Sequence, residues 1–465
     1  MADLLLNRTG LAPEAGGGAA SMPTDVAGLL DWSERRGIVR VDLKIGDLSG
    51  RLRHISLPAR KLRETLEDGV GFAGSHYGFS APIGEDMVMV PDRHTAWADP
   101  FLDIPALSFL AAPVEAGSLQ RFERDPRAVA ERAEKHLRTI GIATDSAWLP
   151  EFEFYVLPAN KDIVNGGASA FVRDGYHASP PVDRHAGFRA RATQMLDAAG
   201  IGVKYDHHET ASEGQMEIEV DFGGLVQSAD RVLLTKYIVR NLAAREGKRA
   251  VFLPKPVATA SGNGLHVHVK LMSDGRSVFA GEGYAGFSKI GLSFIAGVLI
   301  HIRSLAAFTN PSTNSYRRLV PGMEAPIQVG FGTANRASCI RIPGYVVRAA
   351  DRRFEYRPLD ATANPYLAFA AVLMAGLDGA ERELDAVSLG FGPLDGDEAL
   401  RIAPHQFPRT LEEALDALQE DSEYLTRGGV FPPVLLEEWI TLKADESRRL
   451  ERQPHPAEFE LYGDL

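Results

Sequence analysis

The stretch Pro150-Glu151-Phe152-Glu153-Phe154-Tyr155-Val156-Leu157 decides how the rest of the chain is read. Its aromatic and β-branched residues predict a buried strand, yet it carries two carboxylates. Side chains alternate across a strand, so Glu151 and Glu153 share one face while Phe152 and Phe154 take the core side. Two anions about 7 Å apart along one face repel each other unless a cation lies between or above them. A lone Glu-x-Glu is more often a solvated strand face than a site. Three other segments change that balance.

His207-His208-Glu209 with Gly214-Gln215-Met216-Glu217, Gly262-Asn263-Gly264-Leu265-His266-Val267-His268, and Arg352-Arg353-Phe354-Glu355-Tyr356-Arg357 each place ionisable side chains in strand-like or tight-turn contexts. Singly, each is more often a hydrogen-bonded or solvated residue than a ligand. Together they propose one site built from Glu151, Glu153, Glu209, Glu217, His266 and Glu355. Five carboxylates and one imidazole cannot assemble without cations, and so oxygen-rich a set suits Mg²⁺ or Mn²⁺ better than zinc. Divalent ions that bridge phosphate oxygens would favour phosphoryl transfer. Arg318, Arg336, Arg341, Arg353 and Arg357 supply planar forks for carboxylates and phosphates, set among Pro, Gly and apolar residues. The chain has no glycine-rich phosphate loop of the Walker or Rossmann kind, so a nucleotide would be held by metals and arginines.

Around this centre, 465 residues are enough for two or three domains and a large core. Composition is that of an ordinary globular protein, and the net charge of -12 argues against nucleic-acid binding. Cys339 stands alone, which excludes internal disulfides and cysteine-ligated metal centres and fits a reducing cytoplasm. Leu4-Leu5-Leu6 lacks the basic flank and length of a signal peptide, and Ile290 to Ile300 is too short to span a bilayer. The expectation is a cytoplasmic protein with no membrane partner.

Residues 1–24, with Gly16-Gly17-Gly18, are expected to be flexible. Asp25 reads as the cap of a short helix, Ile38 to Ile45 as a half-exposed strand, and Arg51 to Leu57 as its hairpin partner. A small α+β domain over 25–117 follows, then a larger α+β domain over 118–465 with a mostly antiparallel sheet. Helices are predicted from Asp125-Pro126 to Gly141, around Phe188 to Gly200, from Ser228 to Arg245, and over Leu411 to Leu425 and Val434 to Leu450.

These motifs, with Asn314-Ser315-Tyr316-Arg317-Arg318-Leu319-Val320-Pro321-Gly322-Met323-Glu324-Ala325-Pro326, Asn335-Arg336-Ala337-Ser338-Cys339-Ile340-Arg341-Ile342-Pro343 and Ala363-Asn364-Pro365-Tyr366-Leu367-Ala368, closely resemble the glutamine synthetase family from about residue 25 to the end. The resemblance implies an N-terminal β-grasp domain and a C-terminal catalytic domain with a curved antiparallel sheet. It implies a homo-oligomer, typically a dodecamer of two stacked hexameric rings, with sites between ring neighbours. It implies glutamate, ATP and ammonium or a small amine as substrates, with two or three Mg²⁺ or Mn²⁺ ions per site. Carried over residue by residue, Glu153, Glu209 and Glu217 would hold one metal, and Glu151, His266 and Glu355 another. Arg318, Arg357 and the backbone at Gly262 would grip glutamate; Arg336 and Arg341 would face the transferring phosphate; His268, Lys270 and Arg353 would face ATP. Glu324 would sit on a flap that shields the acyl phosphate from water.

The chain departs from the family on the nitrogen side. Where the family's ammonium loop reads Phe-Asp-Gly-Ser-Ser, this chain reads Phe72-Ala73-Gly74-Ser75-His76. Ala73 removes the anion that attracts ammonium and opens volume, while Tyr176 and Glu324 remain to contact an amine and His76 is a conceivable base or a locally bonded loop histidine. Smaller departures are Ser261-Gly262-Asn263-Gly264 for the usual Asn-Gly-Ser-Gly and Lys270 for the usual Ser; between Leu384 and Pro408 no adenylylation tyrosine is evident. The reading favoured is an ATP-dependent glutamate–amine ligase using an organic amine. The alternatives are glutamine synthetase using ammonia and a non-catalytic structural or regulatory relative, against which the complete ligand set argues.

Overall fold

The computed structural model describes residues 22–79, 86–159, 175–211, 214–321, 325–396 and 405–455. Two sheets organise them. The first contains β1 (Arg40–Gly46), β2 (Leu52–Pro58), β3 (Val70–Ala73), β4 (Asp86–Pro91), β5 (Trp97–Ala98) and β6 (Ala106–Glu115), in the order β2-β1-β6-β4-β3 with β5 on β6. Only the β1–β6 pair is parallel. Helices Val26–Arg35 and Leu62–Asp68 accompany it, the first capped by the Asp25 carboxylate on Gly28 N at 2.8 Å.

The second sheet contains β7 (Asp145–Pro158), β8 (Val203–His208), β9 (Gln215–Val220), β10 (Lys248–Val251), β11 (Leu265–Ser273), β12 (Arg276–Ser277), β13 (Gln328–Thr333), β14 (Ser338–Ile342) and β15 (Phe354–Tyr356). Its order is β13-β14-β15-β11-β7-β9-β8, with β10 on β7 and β12 on β11; every pair except β13–β14 is antiparallel. The mostly antiparallel sheet expected of the larger domain is present. Phe152 and Phe154 are fully buried in the main core beneath it, as the alternation required.

Three expectations need adjustment. β1 is buried along nearly its whole length rather than half exposed. Its polar side is covered by helix Leu225–Arg245, whose Tyr237 hydroxyl donates to Asp99 at 2.7 Å, while Lys44 Nζ lies 3.1 Å from Asp99 and 3.4 Å from Asp42. Alternation marks which residues are polar but not that another domain will cover them. That same helix begins at Leu225, three residues early, without a side-chain cap. The Leu411–Leu425 helix breaks at Asp421 and Ser422 into Leu411–Glu420 and Glu423–Thr426, because Asp421 turns to His301 at 2.8 Å and Ser304 at 2.8 Å. Ile290 to Ile300 is the largely buried helix expected, within helix Lys289–Ile300 and bent by 74° from helix Ile302–Thr309. Among the described residues no single helix is long and apolar enough to cross a membrane.

Candidate active site

The centre of the second sheet carries the ionisable residues in registered rows. Across β7 and β9, Glu151 faces Glu219 and Glu153 faces Glu217, so two Glu-x-Glu strands lie side by side. On the other flank of β7, His266 faces Glu151; one step further, His268 faces Glu355 on β15, which in turn faces Arg341 on β14. His207 on β8 faces Glu217. Period-two alternation therefore brings the dispersed motifs onto one surface, because each places its charge at every second residue.

His266 Nδ1 lies 3.4 Å from Glu151, 3.7 Å from Glu355 and 3.8 Å from Glu153. Glu151 also bonds His268 Nε2 at 2.6 Å, and Glu153 accepts Gly264 N–H at 2.6 Å. On the far side, His207 Nε2 is 3.4 Å from Glu217 and its Nδ1 is 3.8 Å from Glu209. Glu209, Glu217, Glu151, His266 and Glu355 are all buried.

The electrostatics divide this surface in two. Burial drives the Glu209 carboxyl up to about 9, reinforced by Glu153 and Glu217. Burial also holds Glu217 well above the carboxylate range, with Glu151 and Glu153 adding repulsion. At the other end, burial opposes the charge on Glu355, but Arg357 first and the two histidines after it outweigh burial and the Glu151 charge, leaving it at about 2. Glu151 is likewise held well below its usual value, His268 and His266 overcoming its burial. Half of the surface is thus neutralised by the protein's own cations and half is not.

Among the described residues, three donor groups converge tightly enough to hold an ion: Glu151 with His266 and Glu355, His207 with Glu209 and Glu217, and Glu151 with Glu219 and His268. The first is the ligand set expected from the sequence. The second brings His207 to Glu209 and Glu217, while Glu153, expected with those two carboxylates, accepts Gly264 N–H through one oxygen. These oxygen-rich donors and the uncompensated repulsion at Glu209 and Glu217 fit hard divalent cations. Glu219 was missed in the sequence, although Glu217-Ile218-Glu219 repeats the alternation of Glu151 and Glu153.

The arginines border this surface. Arg341 and Arg357 both donate to Glu355. Arg318 donates to Pro358 O at 2.8 Å and lies 3.2 Å from His266 Nε2; Arg357 Nε donates to Arg336 O at 2.9 Å. Gly262 is fixed by Gln215, whose amide donates to its carbonyl at 2.8 Å. Arg353 and Lys270 gather elsewhere, both over the Phe222 ring and both bonded to Asp351. Arg336 lies over the Tyr176 ring, which stacks on His177 at 4.0 Å and meets His207 edge-on at 5.3 Å.

Ala73 and His76 do not join this cluster. They lie at the end of β3 and in the turn Gly74–Tyr77, and among the described residues no hydrogen bond, ion pair or ring contact ties either side chain to the carboxylates. Glu324 lies outside the described residues.

Residues 123–462 match the family described as the glutamine synthetase catalytic domain, and residues 37–114 match its beta-Grasp domain. The chain belongs to the glutamine synthetase family. Relatives carrying the name glutamine synthetase include one from Methylococcus capsulatus, 40% identical over 95% of this chain and all of the relative. Another, from Aquifex aeolicus, is 39% identical over 94% of this chain and 98% of the relative. Among solved structures, one described as apo GmaS without ligand is 28% identical, with a TM-score of 0.82 over 95% of this chain and all of that one. The Plasmodium falciparum glutamine synthetase shares the fold, with a TM-score of 0.83 at 22% identity over 94% of this chain and 98% of that one. As a glutamine synthetase family member, this protein is an ATP-dependent ligase of glutamate with ammonia or an amine.

Proposed function

We propose that the nitrogen substrate is an organic amine, making the protein a γ-glutamylamide synthetase. The observation that carries this reading is Ala73, which stands where the family's ammonium loop has aspartate. A small cation such as ammonium needs fixed negative charge, whereas an alkyl or aryl amine needs room. The similarity to GmaS, a glutamate–methylamine ligase, points the same way. Ammonia as substrate is the second reading, favoured by the 40% identity to a relative named glutamine synthetase.

In the first step an oxygen of the glutamate γ-carboxylate attacks the γ-phosphorus of ATP, the bond to the β-phosphate oxygen breaks, and ADP leaves with that electron pair. In the second, the amine nitrogen attacks the acyl carbon of γ-glutamyl phosphate, the carbon–oxygen bond to phosphate breaks, and the nitrogen gives up a proton. Arg318, Arg357 and the Gly262 backbone are assigned to glutamate, and Arg336 and Arg341 to the phosphoryl group. His268, Lys270 and Arg353 are assigned to ATP. Two Mg²⁺ or Mn²⁺ ions, when bound, neutralise phosphate charge; Glu151, His266 and Glu355 would hold one, and Glu209 and Glu217, with Glu153 or His207, the other. Glu324 is assigned to shielding the acyl phosphate from water.

Ala73, His76 and Tyr176 are assigned to the amine. Because Ala73 and His76 belong to the N-terminal sheet, the neighbouring subunit of a ring-shaped homo-oligomer would bring them to the carboxylates. The buried Cys339 fits a cytoplasmic setting.

The deciding experiment measures phosphate release with glutamate, ATP and Mg²⁺ across ammonium and a panel of amines. Turnover with at least one organic amine, at a higher kcat/KM than with ammonium, is expected. Turnover confined to ammonium would overturn this reading in favour of the second.

A further inference from the structure

Away from the carboxylates, a cavity of about 740 Å³ lies between the β1–β2 turn, helix Leu225–Arg245, β10 and helix Pro433–Glu451. Its charge is one-sided. Arg51, Lys236, Arg240, Arg249 and Lys443 line it against the single carboxylate of Glu446, which Lys443 already engages at 2.9 Å. Lys236 donates to Ala361 O at 2.6 Å. No described carboxylate pairs with the guanidinium of Arg51, Arg240 or Arg249.

Arg240 is accessible from the cavity yet hemmed in by protein; the loss of surrounding water lowers its pKa and no carboxylate offsets that cost. Burial lowers Lys236 to about 7, with Arg240 adding repulsion. The walls between these cations are apolar and aromatic, including Leu52, Leu233, Tyr237 and Phe252, with the Arg240 guanidinium 5.3 Å above the Phe252 ring. A concave chamber of this size, mostly apolar but carrying convergent planar donors, has the form of a small-molecule site. Unpaired guanidinium groups select phosphate or carboxylate.

We propose that this cavity is a second, regulatory site that binds a small organic polyanion, its phosphate or carboxylate groups held by Arg51, Arg240 and Arg249 and its body against Tyr237 and Phe252. Two of its walls continue directly into the glutamate side of the active site. Leu253 O accepts from Asn263 Nδ2 at 2.9 Å, and Asn263 N–H bonds Pro254 O at 2.7 Å, next to Gly262. Ser312 bonds Ser315 at 2.8 Å, in the turn of helix that carries Arg318. Occupancy therefore acts on the loop and helix assigned to glutamate, and its signature is a change in KM for glutamate.

The test is calorimetric titration of the intact, metal-free enzyme with pyrophosphate, citrate and phenyl phosphate, the three probes separating phosphate from carboxylate recognition and the value of an aromatic body. Wild type and Arg353→Ala are expected to bind at least one probe alike, while Arg240→Ala/Arg249→Ala loses at least tenfold in affinity. Arg51→Ala provides an independent variant from the opposite wall, expected to weaken binding in the same direction. In turnover assays the bound probe should shift KM for glutamate at least twofold in wild type and leave it unmoved in the double variant, whose activity without probe is retained. Undiminished binding by the double variant, or a loss seen only in Arg353→Ala, overturns the proposal. So does a wild type that binds no probe while the double variant changes oligomeric state, since a second copy would then fill the cavity.

Discussion

Glu151 and Glu219 face each other across the β7–β9 ladder, both buried, with His268 Nε2 2.6 Å from the first and 3.8 Å from the second. Lys204 approaches Glu219 at 2.8 Å, yet its second oxygen has no hydrogen-bond partner among the described residues, and neither has His268 Nδ1. Glu219 thus adds negative charge beside a proposed metal ligand and a proposed ATP contact. Glu219→Gln is expected to raise the Mn²⁺ or Mg²⁺ concentration for half-maximal activity about tenfold, the scale seen when a ligand loses its supporting partner. Titration of activity against metal measures this; an unchanged midpoint would leave Glu219 a purely structural acid.

Divalent ions should also change how stability depends on pH. The folded-state pKa of Glu209 is raised to about 9 and that of Glu217 is also raised, both above an unfolded value near 4.5. A group raised on folding stabilises fully below its unfolded pKa and loses that contribution as pH climbs towards the folded one. In EDTA, Tm should therefore fall as pH rises from about 5 to 9. Glu355 works in the opposite sense, its lowered pKa giving stability that is lost only as pH falls from its unfolded value of 4.5 towards about 2. Mn²⁺ should raise Tm most at the alkaline end, where it replaces protons as the neutralising charge. Scanning calorimetry with and without metal checks both slopes.

The contrast between Glu209 and Glu355 also shows what a sequence reveals. Alternation in Glu151-Phe152-Glu153 was enough to place two acids over a phenylalanine core, and the structure has them there. The same alternation in Glu217-Ile218-Glu219 was overlooked because Glu219 belongs to none of the motifs shared with the family. The donor rows depend on inter-strand register, which no single segment encodes; hence the approach of His207 to Glu209 and Glu217 was not legible in the sequence. Burial of β1 was illegible for a related reason, since it is imposed by a helix that begins only at Leu225, far along the chain.

Arg357 and Arg341 both neutralise Glu355, which is almost fully buried. Arg357→Ala would leave that charge half compensated and remove a proposed glutamate contact. A stability loss of about 3–5 kcal/mol is expected for breaking such a buried pair. Glu355→Gln in the same background should recover part of the stability but none of the turnover. Urea denaturation of the single and double variants, alongside assays, separates the two roles.

Ala73 offers the most direct handle on the nitrogen substrate. An aspartate there would place fixed negative charge at the position assigned to the amine and would occupy volume an alkyl group needs. Ala73→Asp should raise kcat/KM for ammonium and lower it for the preferred amine, shifting their ratio at least tenfold. Because Ala73 lies exposed at the end of β3, its replacement should leave Tm within about 1 °C, the range of a surface change under 0.5 kcal/mol. The KM for glutamate and ATP should not move, since the residues assigned to glutamate and ATP lie outside the N-terminal sheet. An unchanged amine-to-ammonium ratio with intact turnover would show that the pocket is set by other residues, and would place Tyr176 and His76 next for substitution.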